Sequence, residues 1–323
     1  MYKYHFSDLP KPAAASLYAE AVQSAVDRIK QIDGLVAVYS IGSVGAPGIS
    51  DIDLVVVFED ATVWKEELRS GMSPFQRNLF VHAAYGTCKS LLLEGQRYTF
   101  FKPYKLLHGS DLLYGANFPE PDGEVRDQVA LEYLLRFFLS MKMQKAYRQL
   151  RVRSLLLNAK GAAIDLLHLS DGDLQVRRLT DELMALRQQW FLSKSPPLKE
   201  FVRWFEELYE WFPHFMKDQF SRRPFYLPEN KVYAIARNLN IQSGDRLEIV
   251  SHVRRFSLLR PITGRRYFNL LNRFSSFQLM VPVSKENIPA AIAGYFDYNL
   301  RHRLFQHAHL PGCLPLTNSL HLR

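Results

Sequence analysis

The stretch Tyr39–Phe58, YSIGSVGAPGISDIDLVVVF, decides how this chain is read. It begins inside an apolar run, LVAVYSI (35–41), whose valines and lack of charge predict a buried strand. GSVGAPGIS (42–50) is built from glycine, proline and small residues and predicts a loop. DIDLVVVF (51–58), with three consecutive valines, predicts a second buried strand. Side chains two apart in a strand share a face, so Asp51 and Asp53 project together and Ile52 points the other way. Neighbouring ionised carboxylates repel and need a counter-charge. A divalent cation supplies it, and hard oxygen donors select Mg²⁺ or Mn²⁺. Gly42 lets the backbone approach a ligand closely, and the amide and hydroxyl of Ser43 can hold phosphate oxygens. A phosphate cradle beside a metal site suits phosphoryl or nucleotidyl transfer, where catalysis is mainly positioning and charge neutralisation.

Working outward, residues 12–31 repeat Ala, Leu, Val and Ile at helical spacing and stop at Asp33-Gly34, which predicts a helix. ATVWKEELRS (61–70) predicts a short helix, and NLFVHAAYG (78–86) and RYTFFKPYKLL (97–107) predict strands or strand–helix mixtures. HGSDLLYG (108–115) reads as a turn that closes the first domain, and ANFPEPDGE (116–124) as a linker rich in Pro, Gly and acids. Helical patterns follow over 125–168, 180–193 and 197–220, and the last hundred residues mix helical and strand-like stretches. The expected fold class is therefore α/β (α+β): a core domain over 1–118, then a mainly helical domain over 119–323 that forms the other wall of a cleft.

Composition narrows the function classes. The chain has 323 residues, 47% of them hydrophobic, which excludes global disorder. Lys plus Arg is 41 against 32 for Asp plus Glu, a formal charge of +9. That favours a polyanionic ligand, although the basic residues are spread out and equally fit a basic surface. No stretch has the uninterrupted apolar length of a membrane span, and MYKYHFSDLPKP lacks a signal core, so no membrane partner is expected. Cys88 and Cys313 cannot build a disulfide scaffold, which points to a cytoplasmic protein. The histidines show no HxxxH or HExxH spacing, so zinc is not expected.

Ile41-Gly42-Ser43, followed by Ser50-Asp51-Ile52-Asp53-Leu54, resembles the signature of the nucleotidyltransferase superfamily typified by DNA polymerase beta. That superfamily includes kanamycin-type antibiotic nucleotidyltransferases, the minimal nucleotidyltransferases of toxin–antitoxin pairs and tRNA CCA-adding enzymes. Its pattern is an apolar strand, Gly-Ser, a loop, then Asp-x-Asp on the next strand. The motif spans about 20 residues, and the surrounding strand and helix pattern extends the resemblance over roughly the first 115. The resemblance implies a small mixed sheet flanked by helices over residues ~30–115. It implies that Asp51 and Asp53 hold Mg²⁺ ions, one carrying the triphosphate of an NTP, and that Gly42 and Ser43 hold its β- and γ-phosphates. An acceptor hydroxyl, on a small molecule, a protein side chain or an RNA end, would attack the α-phosphate and release pyrophosphate.

Members of that family usually place a third acid on a later strand. Neither NLFVHAAYG nor RYTFFKPYKLL contains Asp or Glu. Glu94, in LLLEGQR, ranks first for the role, then His82, then Asp111. Related enzymes also bring a basic residue from the helical domain to the triphosphate, and Lys160 or Arg153 fits, against the plainer reading of a solvated helix face. Arg222-Arg223, Arg254-Arg255 and Arg265-Arg266, with Tyr and Phe nearby, suit a nucleic-acid backbone or an ordinary basic surface. The runner-up function is a catalytically weak or inert nucleotide- or nucleic-acid-binding protein on the same scaffold, and a third is an antitoxin-like partner of another protein.

Overall fold

The computed structural model describes residues 4–98, 103–118, 120, 122–192, 195–228, 233–254, 256, 266–317 and 321–322. Among these the chain forms nine helices and three sheets, a mixed α/β architecture. The valine run is its centre. Strand β3 (Asp53–Phe58) pairs antiparallel with β2 (Leu35–Ile41) and parallel with β4 (Tyr85–Cys88). β5 (Tyr104–Gly109) adds antiparallel to the far edge of β2, and β11 (Leu314–Pro315) adds parallel to β4, giving the order β11-β4-β3-β2-β5.

Both faces of β3 are covered, which is why its residues are apolar without alternation. Leu54, Val56 and Phe58 pack with Tyr18, Ala21, Ala25, Val26 and Ile29 of helix α1 (Ala15–Ile29). Val55 and Val57 point the other way, to Ala37, Tyr39, Ile41, Leu92 and Leu316. The remaining elements of this unit are α2 (Pro74–Leu79), α3 (Lys89–Gly95) and α9 (Ala290–His309). Tyr298 of α9 donates to Leu91 O at 3.1 Å, and buried His302 hydrogen-bonds Thr87 Oγ1 at 2.9 Å. The helix expected over 61–70 does not form. Trp64 N–H instead bonds His309 O at 2.8 Å, and its ring packs 5.6 Å from that of Phe58.

The chain divides into two compact units: residues 11–126 with 289–318, and residues 1–10 with 127–288 and 319–323. The second unit carries β1 (His5–Ser7), most of α4 (Gly123–Tyr147), β6 (Gln149–Arg151), α5 (Val152–Leu169), α6 (Leu174–Gln189) and α7 (Leu198–Arg222). The helix expected to run through 125–168 is broken at Arg148, which takes φ +52°, so that β6 can pair in parallel with β1. Helices predominate, and the strand-like stretches expected in the last hundred residues join into a five-stranded sheet whose pairing the sequence did not specify. Its strands are β7 (Tyr233–Ala236), β8 (Leu239–Gly244), β9 (Glu248–His252), β10 (Ser276–Pro282) and β12 (His321–Leu322), and α8 (Tyr267–Phe274) precedes β10. Among the described residues no helix is long and apolar enough to cross a membrane. Cys88 and Cys313 are buried free thiols.

Candidate functional site

Ile41, the last residue of β2, is the cross-strand partner of Asp53, the first residue of β3. Gly42 and Ser43 therefore leave the sheet directly beside the acid pair, exposed, with Gly42 at φ +72°, a left-handed conformation that glycine adopts without strain. The loop is held from below by α1. Tyr18 Oη accepts from Gly48 N–H at 2.9 Å and donates to Ser50 O at 2.8 Å, and Ser50 Oγ accepts from Ala46 N–H at 3.1 Å. Tyr18 and Ser50 are both buried. Tyr18 is a supporting residue that sequence reasoning missed, because its partners lie some 30 positions away with no local signal.

Ile52 faces the α1 side of the sheet with Leu54, as the strand period requires, and Asp51 and Asp53 converge. A third donor reaches them from the segment between α2 and β4. Ser73 starts that helix with a capping box, its hydroxyl accepting from Gln76 N–H and the Gln76 side chain accepting from Ser73 N–H. Ile52 N–H bonds Leu79 O at 3.0 Å, which ties the end of α2 to the acid pair. The chain then turns into β4 and carries His82 with it, packed edge-on against Tyr85 at 5.1 Å.

His82 Nε2 stands 2.9 Å from Asp53 Oδ1 and 4.0 Å from Asp51 Oδ2. One donor atom from each of the three residues falls within 4.8 Å of the other two, and all three side chains are partly buried. Asp53 Oδ1 is shut off from solvent, and what faces it is His82 Nε2, in an ion-pair contact rather than a hydrogen bond of good geometry. On the other side of the ring, His82 Nδ1 lies 2.7 Å from Ala83 O. A carbonyl only accepts, so Nδ1 carries a proton in either charge state of the ring, and Nε2 is the nitrogen that faces the carboxylates. Burial pulls the His82 pKa down. Contact with Asp53 and its charge, the Ala83 carbonyl and the Asp51 charge outweigh that and raise it above the usual histidine value.

Glu94, ranked first for the third position, lies outside this group. It sits on α3 in a two-pronged ion pair with Arg301 of α9, which also holds Asp297 at 2.7 Å. A guanidinium fork engages both oxygens of the carboxylate and holds it turned towards Arg301. Asp111 also lies elsewhere: it accepts from Tyr39 Oη and from Leu113 N–H, both at 3.1 Å, and so closes the turn after β5. Lys160 and Arg153 lie on α5 of the second unit, Lys160 partly exposed and Arg153 buried. Arg222 and Arg223 are paired with Asp218, Asp171 and Asp127. Arg254 N–H bonds Ser275 Oγ at 3.2 Å, Arg266 precedes α8 without a side-chain capping bond, and Arg255 and Arg265 lie outside the described residues.

Two carboxylates and an imidazole at these separations fit a single divalent cation, whose ligand atoms stand about 3–4 Å apart across the ion. No protein-family model matches the chain, and no curated protein matches it.

Proposed function

We propose that the chain is a metal-dependent nucleotidyltransferase whose site is built from Gly42, Ser43, Asp51, Asp53 and His82. One observation carries this reading. The register that pairs Ile41 with Asp53 starts the Gly-Ser turn beside the point where Asp51 and Asp53 converge within 4.8 Å of each other and of His82. Phosphate donors and metal ligands are thereby neighbours on one edge of a rigid sheet, which is what transfer from a triphosphate needs. When bound, a divalent cation supplies charge neutralisation and orientation of the triphosphate. Gly42 opens the backbone, and the Ser43 amide and hydroxyl donate to phosphate oxygens. Tyr18 keeps the loop in place, and Ala83 O fixes the His82 tautomer. An acceptor hydroxyl attacks the α-phosphorus and loses its proton to water, the bond to the β-phosphate breaks and pyrophosphate leaves.

The second reading, a nucleotide-binding protein without turnover, is favoured by one specific feature. Among the described residues the metal-ligand group contains no third carboxylate, and Glu94 is committed to Arg301. Calorimetry with non-hydrolysable ATP, GTP, CTP and UTP analogues, with and without divalent metal, tests the shared premise. Binding that needs the metal and is lost in Asp51→Asn and Asp53→Asn supports the site. Pyrophosphate release on adding the parent NTP then separates the transferase from the binder. No nucleotide binding in any arm removes both.

A further inference from the structure

We infer that the site is selective for a first-row transition-metal dication of the Mn²⁺ kind over Mg²⁺, with His82 Nε2 as its third protein ligand. The inference rests on the reading of Asp51 and Asp53 as metal ligands and deepens it. Mg²⁺ is a hard ion that takes oxygen donors in near-ideal octahedral geometry and is poorly served by nitrogen. Imidazole suits the later, softer first-row ions, and a mixed carboxylate–imidazole set shifts preference along the series from Mg²⁺ through Mn²⁺ to Co²⁺ and Ni²⁺.

The structure prepares His82 for that role in two independent ways. Nδ1 is engaged with Ala83 O at 2.7 Å, and such a second contact orients a metal-bound histidine and keeps the proton on Nδ1 when a metal takes the place of the one on Nε2. Nε2 then faces both carboxylates, at 2.9 Å from Asp53 and 4.0 Å from Asp51. Asp53 Oδ1, buried and without an aligned hydrogen bond, is the oxygen that a cation between it and Nε2 would satisfy. An ordinary surface ion pair would leave both groups free to find water and would not lock the remote nitrogen.

The test measures metal directly and uses no turnover. The full chain is titrated with Mn²⁺ and with Mg²⁺ by calorimetry, and bound Mn²⁺ is examined by pulsed electron paramagnetic resonance for coupling to a ligand nitrogen. The same is done for His82→Asp, which restores an all-oxygen set. The expected result is Mn²⁺ affinity at least about tenfold above Mg²⁺, nitrogen coupling in the wild type, and loss of both the coupling and most of the preference in His82→Asp. Equal affinities, or bound Mn²⁺ with no nitrogen coupling, overturn the inference; the wild-type spectrum decides this even where His82→Asp fails to fold. Nitrogen-coupled Mn²⁺ without any nucleotide binding would leave the inference standing and remove the transferase. Nucleotide binding with Mg²⁺ as effective as Mn²⁺ would do the reverse.

Discussion

Replacing Asp51 with Asn should stabilise the metal-free protein and abolish its stabilisation by metal. The two carboxylates lie within 4.8 Å of each other, with side-chain exposures of 12% for Asp51 and 28% for Asp53. At that distance two like charges repel by about 3 kcal/mol at the effective dielectric of a protein surface and by about 1 kcal/mol at that of bulk water. His82 offsets part of this while it carries a proton, and its closer contact is with Asp53, which Asp51→Asn leaves in place. Asn is nearly isosteric, so the net gain without metal should be about 1 kcal/mol, or roughly 2–4 °C in Tm for a unit of this size. With metal the order reverses. A ligand at a hundred times its Kd adds about 2.7 kcal/mol to the form that binds it, so the wild type should overtake the variant. Thermal unfolding of both proteins in EDTA and over a Mn²⁺ series reads both signs in one experiment. A variant that melts lower than wild type in EDTA, or one that gains as much from Mn²⁺ as wild type does, would refute the electrostatic reasoning.

Glu94→Gln should leave Mn²⁺ affinity within about twofold of wild type and cost no more than about 1 kcal/mol, since its ion pair with Arg301 is largely solvent-facing. A tenfold loss in the same titration would place Glu94 among the ligands after all. Tyr18→Phe removes the partner of both Gly48 N–H and Ser50 O, so it should cost about 2 kcal/mol in urea unfolding and weaken nucleotide-analogue affinity more than metal affinity. Equal weakening of the two would mean that the loop does not act through phosphate. His302 is buried, and burial lowers its pKa from 6.5 to about 4. The unfolded chain therefore binds this proton at a higher pH than the folded one, and between those values stability falls as pH falls. The full effect is about 3 kcal/mol, complete once pH drops through about 4. Urea unfolding of wild type and His302→Asn at steps from pH 7 to 4.5 should show a smaller acid loss in the variant; parallel curves would rule it out.

The sheet at the centre of the first unit was legible because its chemistry is local. Val55, Val56 and Val57 declare a strand covered on both faces, and the two-residue period alone puts Asp51 and Asp53 together. The third donor was not legible in the same way, since its place depends on where α2 stops. A local signal existed: Ser73-Pro74-Phe75-Gln76 is a capping sequence that sets the helix start, and with it the point at which His82 enters the site. The helix expected over 61–70 fails for the opposite reason. Trp64 and Leu68 are four apart and mimic a helical face, but both belong to the core around Phe58. The break at Arg148 carries no glycine or proline. Its cause is β1, whose pairing with β6 joins residues about 140 positions apart, beyond the reach of any periodicity.

Counting charge shows what kind of occupant the site suits. Two carboxylates carry two negative charges, and a protonated His82 returns one. Without metal these three side chains together carry a net charge of minus one, at the end of a strand buried on both faces. A monovalent cation or a lysine amine would merely repeat what the imidazolium already does. A dication would displace the Nε2 proton, take the nitrogen as a ligand and bring the three side chains to neutrality. A phosphate group approaching such a site would find the Gly42-Ser43 donors beside it and the charge of the three side chains already balanced. A strand terminus built only to stop a sheet would need neither the second aspartate nor a histidine locked at its remote nitrogen. The combination of a neutralisable acid pair, a pre-set imidazole and an exposed glycine turn on one edge is what supports the proposed reading of a metal-held phosphate.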